Sequence, residues 1–408
     1  MVPVFRLFVL MVSLLVLVAV LVYVTTTALV SADRSSVSNP IGPRATPTLQ
    51  FLVVLSRHGN RGPLFTYPSC PYPSYDANAW PYGYEQLTKK GRIQLYQLGA
   101  KIRSLYNGFL NEIYYQEDFR ASSTIKDRTL MSAAEFLAGL FPPKGFQVWD
   151  KDLLWQPLPI FPNYLDHTTV VPPPSSNSVC PRFHEAQNQS LEQFVKDYGF
   201  KMMDILEGIQ PYTGLGKVTT QSVLMQMIIV WESLASMDFE ELAMPTWSRQ
   251  VYPEPLTTVM GQLYAAYTID SPVTTRLLQG QLFQEVVSLM EAKINGSLTP
   301  DRRMYYYSGH DYTLLGVQGI LGLNSSDARV IKPGSALVLE LHQNNQTGIF
   351  YFQALYIDGG SEDLEPSYFN ITGCNFPCDF NLLKNITEKY YNITDYTAEC
   401  HYNNTSLF

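Results

Sequence analysis

Leu49-Gln50-Phe51-Leu52-Val53-Val54-Leu55-Ser56 runs directly into Arg57-His58-Gly59-Asn60-Arg61-Gly62-Pro63. The first part is a nearly continuous apolar run of strand length. A run without alternation predicts a strand buried on both faces, as in a parallel sheet covered by helices. The polar cluster then falls where a buried parallel strand ends, the usual place for a site in an open α/β sheet. Two guanidiniums flank one imidazole within five residues, and the nearest acid along the chain is Asp76. Arg57 and Arg61 therefore call for an anion, and phosphate suits them. Gly59 permits close backbone approach. An imidazole beside such a cradle is placed to attack phosphorus and carry the phosphoryl group. A purely structural cluster is the other reading of these residues taken alone.

Outward from this stretch, Thr88 predicts an N-cap for a helix running to about Asn107. A second helix is predicted over 128–140, stopped by Pro142-Pro143. Pro- and Ser-rich loops fill 157–178, and helical patterns recur at 190–209, 217–235 and 255–294. A short aromatic strand at 304–308 leads into Gly309-His310-Asp311, and 335–342 with 349–356 reads as a hairpin. This order predicts an α/β fold, a mixed central sheet flanked by helices with an inserted smaller helical domain. The expected organisation is a signal peptide or signal anchor (1–32), a flexible stem (33–48), and a first part of the core (49–150). A mainly helical insert (151–254), a second part of the core (255–365) and a loop-rich tail (366–408) follow.

Residues 7–24 are apolar except Ser13, with Arg6 before them and no acid before Asp33. Eighteen helical residues span about 27 Å, close to the bilayer core. A cleaved signal peptide, with Val30-Ser31-Ala32 at the cleavage site, and an uncleaved single N-terminal membrane anchor both fit; the length of the run favours the anchor. Either sends the remainder to the lumen or outside. Nine Asn-x-Ser/Thr sequons are present, at Asn188, Asn295, Asn324, Asn345, Asn370, Asn385, Asn392, Asn403 and Asn404. Chance would give roughly three, so the excess points to a glycosylated secretory-pathway protein. With 28 Lys plus Arg against 36 Asp plus Glu, the net charge of −8 excludes the basic footprint of a nucleic-acid binder. The five cysteines contain no C-x-x-C pair, against the common zinc patterns, and their odd number leaves one unpaired within the chain. His167, His184, His342 and His401 lack ligand spacing and are expected on surfaces or in loops. The 27 tyrosines and 5 tryptophans are assigned by default to packing.

His310-Asp311 reads either as a hydrogen-bonded pair at a strand end or as a second donor to phosphate with a carboxylic acid beside it. In the second case Asp311 would protonate the leaving oxygen. Taken with the first motif, Arg57-His58-Gly59-Asn60-Arg61-Gly62-Pro63, the pair resembles the two signatures of the histidine acid phosphatases. Trp80-Pro81, Leu87-Thr88, Asp127-Arg128-Thr129-Leu130-Met131-Ser132-Ala133, Leu140-Phe141-Pro142-Pro143 and Trp155-Gln156-Pro157-Leu158-Pro159 are similar to the prostatic and lysosomal branch. The likeness covers about 49–400 and implies a phosphoglycerate-mutase-like core.

The resemblance implies roles. His58 would be the nucleophile and Asp311 the general acid. Arg57, Arg61, Arg128 and His310 would bind the substrate phosphate. Without the resemblance, Asp127-Arg128 also reads as a local ion pair. The implied activity is metal-independent and cofactor-free hydrolysis of small phosphate monoesters through a phosphohistidine. The alternatives are a specialised lysophospholipid or inositol-phosphate phosphatase, or a catalytically silent glycosylated binding protein on the same scaffold. The negative charge speaks against a highly anionic substrate. The implied disulfides are Cys180–Cys400 and Cys374–Cys378, leaving Cys70 odd, and a third family bridge is lost at Ser236 and Ala336. Asn60 stands where relatives often carry Asp, and Ser122 where the branch often carries Arg. The expected residence is secreted, lysosomal or membrane-anchored, and Trp155-Gln156-Pro157 suggests a homodimer.

Overall fold

β1 (Leu49–Arg57) is buried along its length except at Gln50. The computed structural model describes residues 42–168 and 180–401. The apolar segment at 7–24, with its choice of signal peptide or anchor, lies outside them, as do Asn403 and Asn404. In the sheet β1 lies between β4 (Met304–Gly309), parallel to it, and β5 (Ala336–Gln343), antiparallel to it. β2 (Phe119–Ser123) continues the parallel side on β4 and carries β3 (Ile160–Pro162) at the edge. β6 (Phe350–Ile357) extends the antiparallel side and pairs with two fragments, β7 (Pro366–Tyr368) and β8 (Cys378–Asp379). The order is β3-β2-β4-β1-β5-β6-β7. The expected mixed sheet is present. β2 was not expected: Phe119-Arg120-Ala121-Ser122-Ser123 has no apolar run, yet four of its five residues are buried.

Helices cover both faces, which is why β1 shows no alternation. Phe51, Val53 and Leu55 pack against α6 (Pro272–Ile294), α7 (Asp311–Ile320) and α8 (Phe380–Tyr391). On the other face, Phe136 of α2 (Asp127–Leu140) stacks on Tyr306 of β4 with ring centroids 3.8 Å apart. α1 (Lys89–Leu105) packs on α2. Thr88 caps α1 as expected, its Oγ1 accepting from Gly91 N at 3.0 Å.

The helical insert consists chiefly of α3 (Pro181–Thr213) and α4 (Val223–Phe239). It does not end at 254. Met202, Leu206 and Val230 share one apolar core with Met260 and Leu263 of α5 (Leu256–Thr268) and with Leu277 of α6. The run expected as one helical stretch over 255–294 breaks at Ser271, which caps α6 ahead of Pro272. Cys180 at the start of α3 is bridged to Cys400 in α9 (Tyr396–His401), and Cys374 to Cys378, as implied. Cys70 is a buried free thiol. The tail is thus less loop-rich than expected, since α8 and α9 occupy much of it.

Two expectations fail at the end of the sheet far from the Arg-His cluster. The stem was to reach residue 48, but the compact unit begins at Pro43, and Arg44 is buried. Its Nε donates to Glu340 Oε1 at 2.9 Å and its Nη2 to Gln353 Oε1 at 2.7 Å. His342 was placed on a surface but is buried in β5, with Nε2 3.0 Å from Glu340 Oε2. Tyr106 also donates to Glu340 at 2.6 Å. A fully buried carboxylate requires such partners. Arg44 and Tyr106 come from 296 and 234 residues away in sequence, so no local pattern reveals them, whereas His342 lies two residues along the same strand. His184 is likewise buried, in α3.

Candidate active site

The end of β1 is pinned on both sides. His58 N donates to Gly309 O at 3.0 Å, and Gly334 N to His58 O at 3.1 Å. Gly59 has a steric reason: a Cβ there would lie 2.2 Å from Gly91 O, in the first turn of α1. Its N–H donates to Ser132 Oγ of α2 at 3.1 Å. The Arg-His loop is therefore clamped between β4, α1 and α2. β4 ends beside it, delivering His310 and Asp311 at the start of α7. Asp127 and Arg128 begin α2 as expected, but Arg128 pairs with Glu85, not Asp127.

His58 is buried, and its Nδ1 is 2.8 Å from Gly59 O. A carbonyl only accepts, so Nδ1 carries the hydrogen and Nε2 keeps the lone pair. Burial first, then Arg128, Arg57, His310 and Arg61, holds the imidazole well below its ordinary pKa. The neutral imidazole is thus favoured over the imidazolium. The His310 ring stands edge-on to it, centroids 5.6 Å apart. Burial, and secondarily Arg128 and Arg57, pushes His310 down to about 4, against the opposing pull of Asp166 and Asp311.

The three expected guanidiniums converge electrostatically on His58. Each also has a carboxylate that sequence proximity did not reveal. Arg57 Nη2 lies 3.1 Å from Asp311 Oδ2, Arg61 Nη1 2.8 Å from Glu232 Oε1, and Arg128 Nη1 3.2 Å from Glu85 Oε1. The premise that the arginines lack nearby acids is true of the chain and false of the fold. All three leave Nε without a partner. Arg92 and Arg103 do so too, so it is the convergence that marks an anion site. Three carboxylates balance three guanidiniums, so an incoming dianion must compete for them.

Asp311 shows this competition. Burial alone would raise its pKa, but Arg57 first, then His310 and Arg61, holds it below the usual carboxylate range. The ionised carboxylate of Asp311 is thus favoured in the free enzyme. A phosphoryl dianion on the same arginine reverses that field, and two anions in contact then share a proton.

Several residues escaped sequence reading. Thr124 Oγ1 lies 3.0 Å from His310 Nε2 and donates onward to Thr129 Oγ1 at 2.9 Å. That leaves Thr124 accepting from the Nε2–H of His310. Buried Asp166 accepts from Thr313 at 2.6 Å and Gln279 at 2.8 Å, and Thr313 in turn accepts from His310 N at 2.8 Å. No motif marks these. Glu232 had a signal: it is an acid set in the middle of the apolar stretch of α4. Trp231 and Tyr264, assigned to packing, line the cleft with Glu232, Ser236 and Phe239. Asn60, where relatives often carry Asp, donates to Glu240, as does Thr88 at 2.6 Å. An ionised Asp could not donate there.

The profile of the histidine phosphatase superfamily (branch 2) matches residues 48–357. Prostatic acid phosphatase of Bos taurus is 32% identical over 335 residues, covering 81% of this chain and 82% of that protein. Lysosomal acid phosphatase of Homo sapiens is 29% identical over 363 residues, covering 88% and 81%. Among solved structures, Hafnia alvei phytase with tartrate superposes with a TM-score of 0.60 at 16% identity, covering 84% of this chain and 97% of that one. The chain belongs to the histidine phosphatase superfamily, branch 2. Within it this protein is a histidine acid phosphatase, a phosphoric monoester hydrolase.

Glu232→Gln keeps an acceptor for Arg61 but removes the countercharge. Inorganic phosphate is expected to inhibit this variant about 3–10-fold more tightly, measured as Ki at a fixed acidic pH. An unchanged Ki would mean that Glu232 does not compete with the anion.

Proposed function

We propose that this enzyme hydrolyses phosphate monoesters in acid through phospho-His58, with Asp311 as proton donor and Arg57, Arg61, Arg128 and His310 holding the phosphoryl group. The observation that carries this reading is the His58 Nδ1 contact to Gly59 O, which leaves the Nε2 lone pair among three guanidiniums. Nε2 bonds to phosphorus while the bond to the leaving oxygen breaks, and Asp311 gives that oxygen its proton. Water then attacks phosphorus, Asp311 takes a proton back, the N–P bond breaks and phosphate leaves. The guanidiniums spread their charge over the three phosphoryl oxygens, so neither metal nor cofactor is needed. The residues of both half-reactions are intact, against a silent binding protein.

The apolar wall of Trp231, Ala235, Phe239 and Tyr264 favours an ester with an apolar leaving group, lysophospholipids included. Glu232 and the net charge of −8 disfavour a polyphosphorylated inositol. The phytase likeness, at 16% identity, concerns the fold alone.

We place the enzyme in the secretory pathway, secreted, lysosomal or anchored by its N-terminal apolar segment. Its prostatic and lysosomal relatives support this, and all seven described sequon asparagines are exposed. Exposed Phe146, Trp149, Leu154 and Trp155 support a homodimer through that surface.

The test is turnover of p-nitrophenyl phosphate from about pH 3 to 8 with chelator present. Activity should rise towards acid, because the bound ester and Asp311 must share a proton, while His58 stays neutral well below its ordinary pKa. An optimum above neutrality, or loss of activity to the chelator, would sink the reading.

A further inference from the structure

The outer edge of β6 is paired only in pieces. β7 covers Leu355 to Ile357 and β8 covers Tyr351 and Phe352. Between them Phe369 N still donates to Ala354 O at 2.8 Å, and residues 370–377 form a loop closed by the Cys374–Cys378 bridge. This loop and β6 enclose a pocket floored by buried Phe352, Ala354 and Ile371. Its described lining contains no charged side chain. At the rim, Tyr368 and Phe376 stand edge to face, centroids 4.7 Å apart, and remain 46% and 62% exposed. An open apolar pocket reaching the core and edged by exposed aromatics is costly in water.

Asn370 belongs to the same lining, is exposed, and begins the sequon Asn370-Ile371-Thr372. A glycan attached there starts inside the pocket wall. The C–H face of a sugar ring suits an aromatic face through weak C–H contacts and removal of apolar area from water, while its hydroxyls stay hydrated. We propose that the N-glycan of Asn370 folds back on Tyr368 and Phe376 and caps this pocket, as a structural cover rather than a solubilising appendage. The first sugar makes the cover, because it is the one attached beside the rim. The proposal rests on the secretory-pathway reading and is independent of the catalytic one.

The test uses the protein made in glycosylating cells, with site occupancy read by glycopeptide mass spectrometry. Asn370→Gln and Phe376→Ala should each lower Tm by about 2 °C and raise binding of a hydrophobic dye. The double variant should lose no more than the larger single loss, since both remove one contact. Asn345→Gln, in the exposed turn between β5 and β6, should change neither readout. Trimming every glycan to its first sugar should leave Tm unchanged in the parent. A bare Asn370 beside occupied sequons, additive losses, or an equal effect of Asn345→Gln would each overturn the cover. Absence of sugar from every sequon would overturn both the cover and the secretory reading, leaving phosphatase activity as a separate result.

Discussion

His58→Ala is expected to abolish turnover, with kcat/KM for p-nitrophenyl phosphate falling at least about 10⁴-fold. On the mechanism proposed above, Nε2 is the attacking atom, for which no described neighbour substitutes. His310, the other imidazole, commits Nε2 to Thr124. The fold should survive, because the backbone bonds of residue 58 to Gly309 and Gly334 do not involve the side chain. The cradle should survive too, so the variant should still bind inorganic phosphate, measured by calorimetry. That separates chemistry from binding: lost turnover with retained phosphate binding is the expected pair. Rapid quench of the parent should trap a phosphoenzyme that is stable in alkali and lost in acid, as a P–N bond requires. A variant turning over within about tenfold of the parent would remove His58 from the chemistry.

What the sequence disclosed was local. The apolar run at 49–56 announced a strand covered on both faces, and the residues after it announced guanidiniums and an imidazole gathered at the strand's end, because both signals lie within fifteen consecutive positions. Thr88 and Pro142-Pro143 likewise act on their nearest turns. What it hid was whatever the fold brings from afar. Glu232, Glu85 and Asp311 lie 171, 43 and 254 positions from the arginines they meet, numbers fixed by topology and not by pattern. β2 hid for the opposite reason. Its Arg120, Ser122 and Ser123 are polar, yet its position between β3 and β4 makes it a strand. His342 looked like a surface histidine because Thr48, its partner besides Glu340, is brought to it from 294 positions away. The family resemblance supplied Arg128 and the bridges, which residue chemistry alone left open.

Asp311→Asn should separate leaving groups. With an alkyl phosphate the departing oxygen must receive a proton, and kcat should fall about 10²–10⁴-fold, the span of general acid catalysis. With p-nitrophenyl phosphate the leaving oxygen is stable as an anion, so the first half-reaction should change little. Hydrolysis of the phosphoenzyme should then be the slow step, because the same carboxylate must take a proton from water. A burst of nitrophenolate equal to the enzyme concentration should precede slow turnover. Binding should move the other way. Asp311 is the countercharge of Arg57 at 3.1 Å, and an uncharged amide frees that guanidinium for the substrate, so KM should fall. The same pairing sets the pH dependence. In the free enzyme Arg57 outweighs burial and keeps Asp311 ionised below the ordinary carboxylate range, so the acid's proton must arrive with the substrate. Activity on alkyl esters should therefore decline as pH rises through the ester's second ionisation, about 6, when neither partner brings a proton. Equal losses on both esters without a burst would assign Asp311 to orienting Arg57, and proton transfer would have to come from elsewhere.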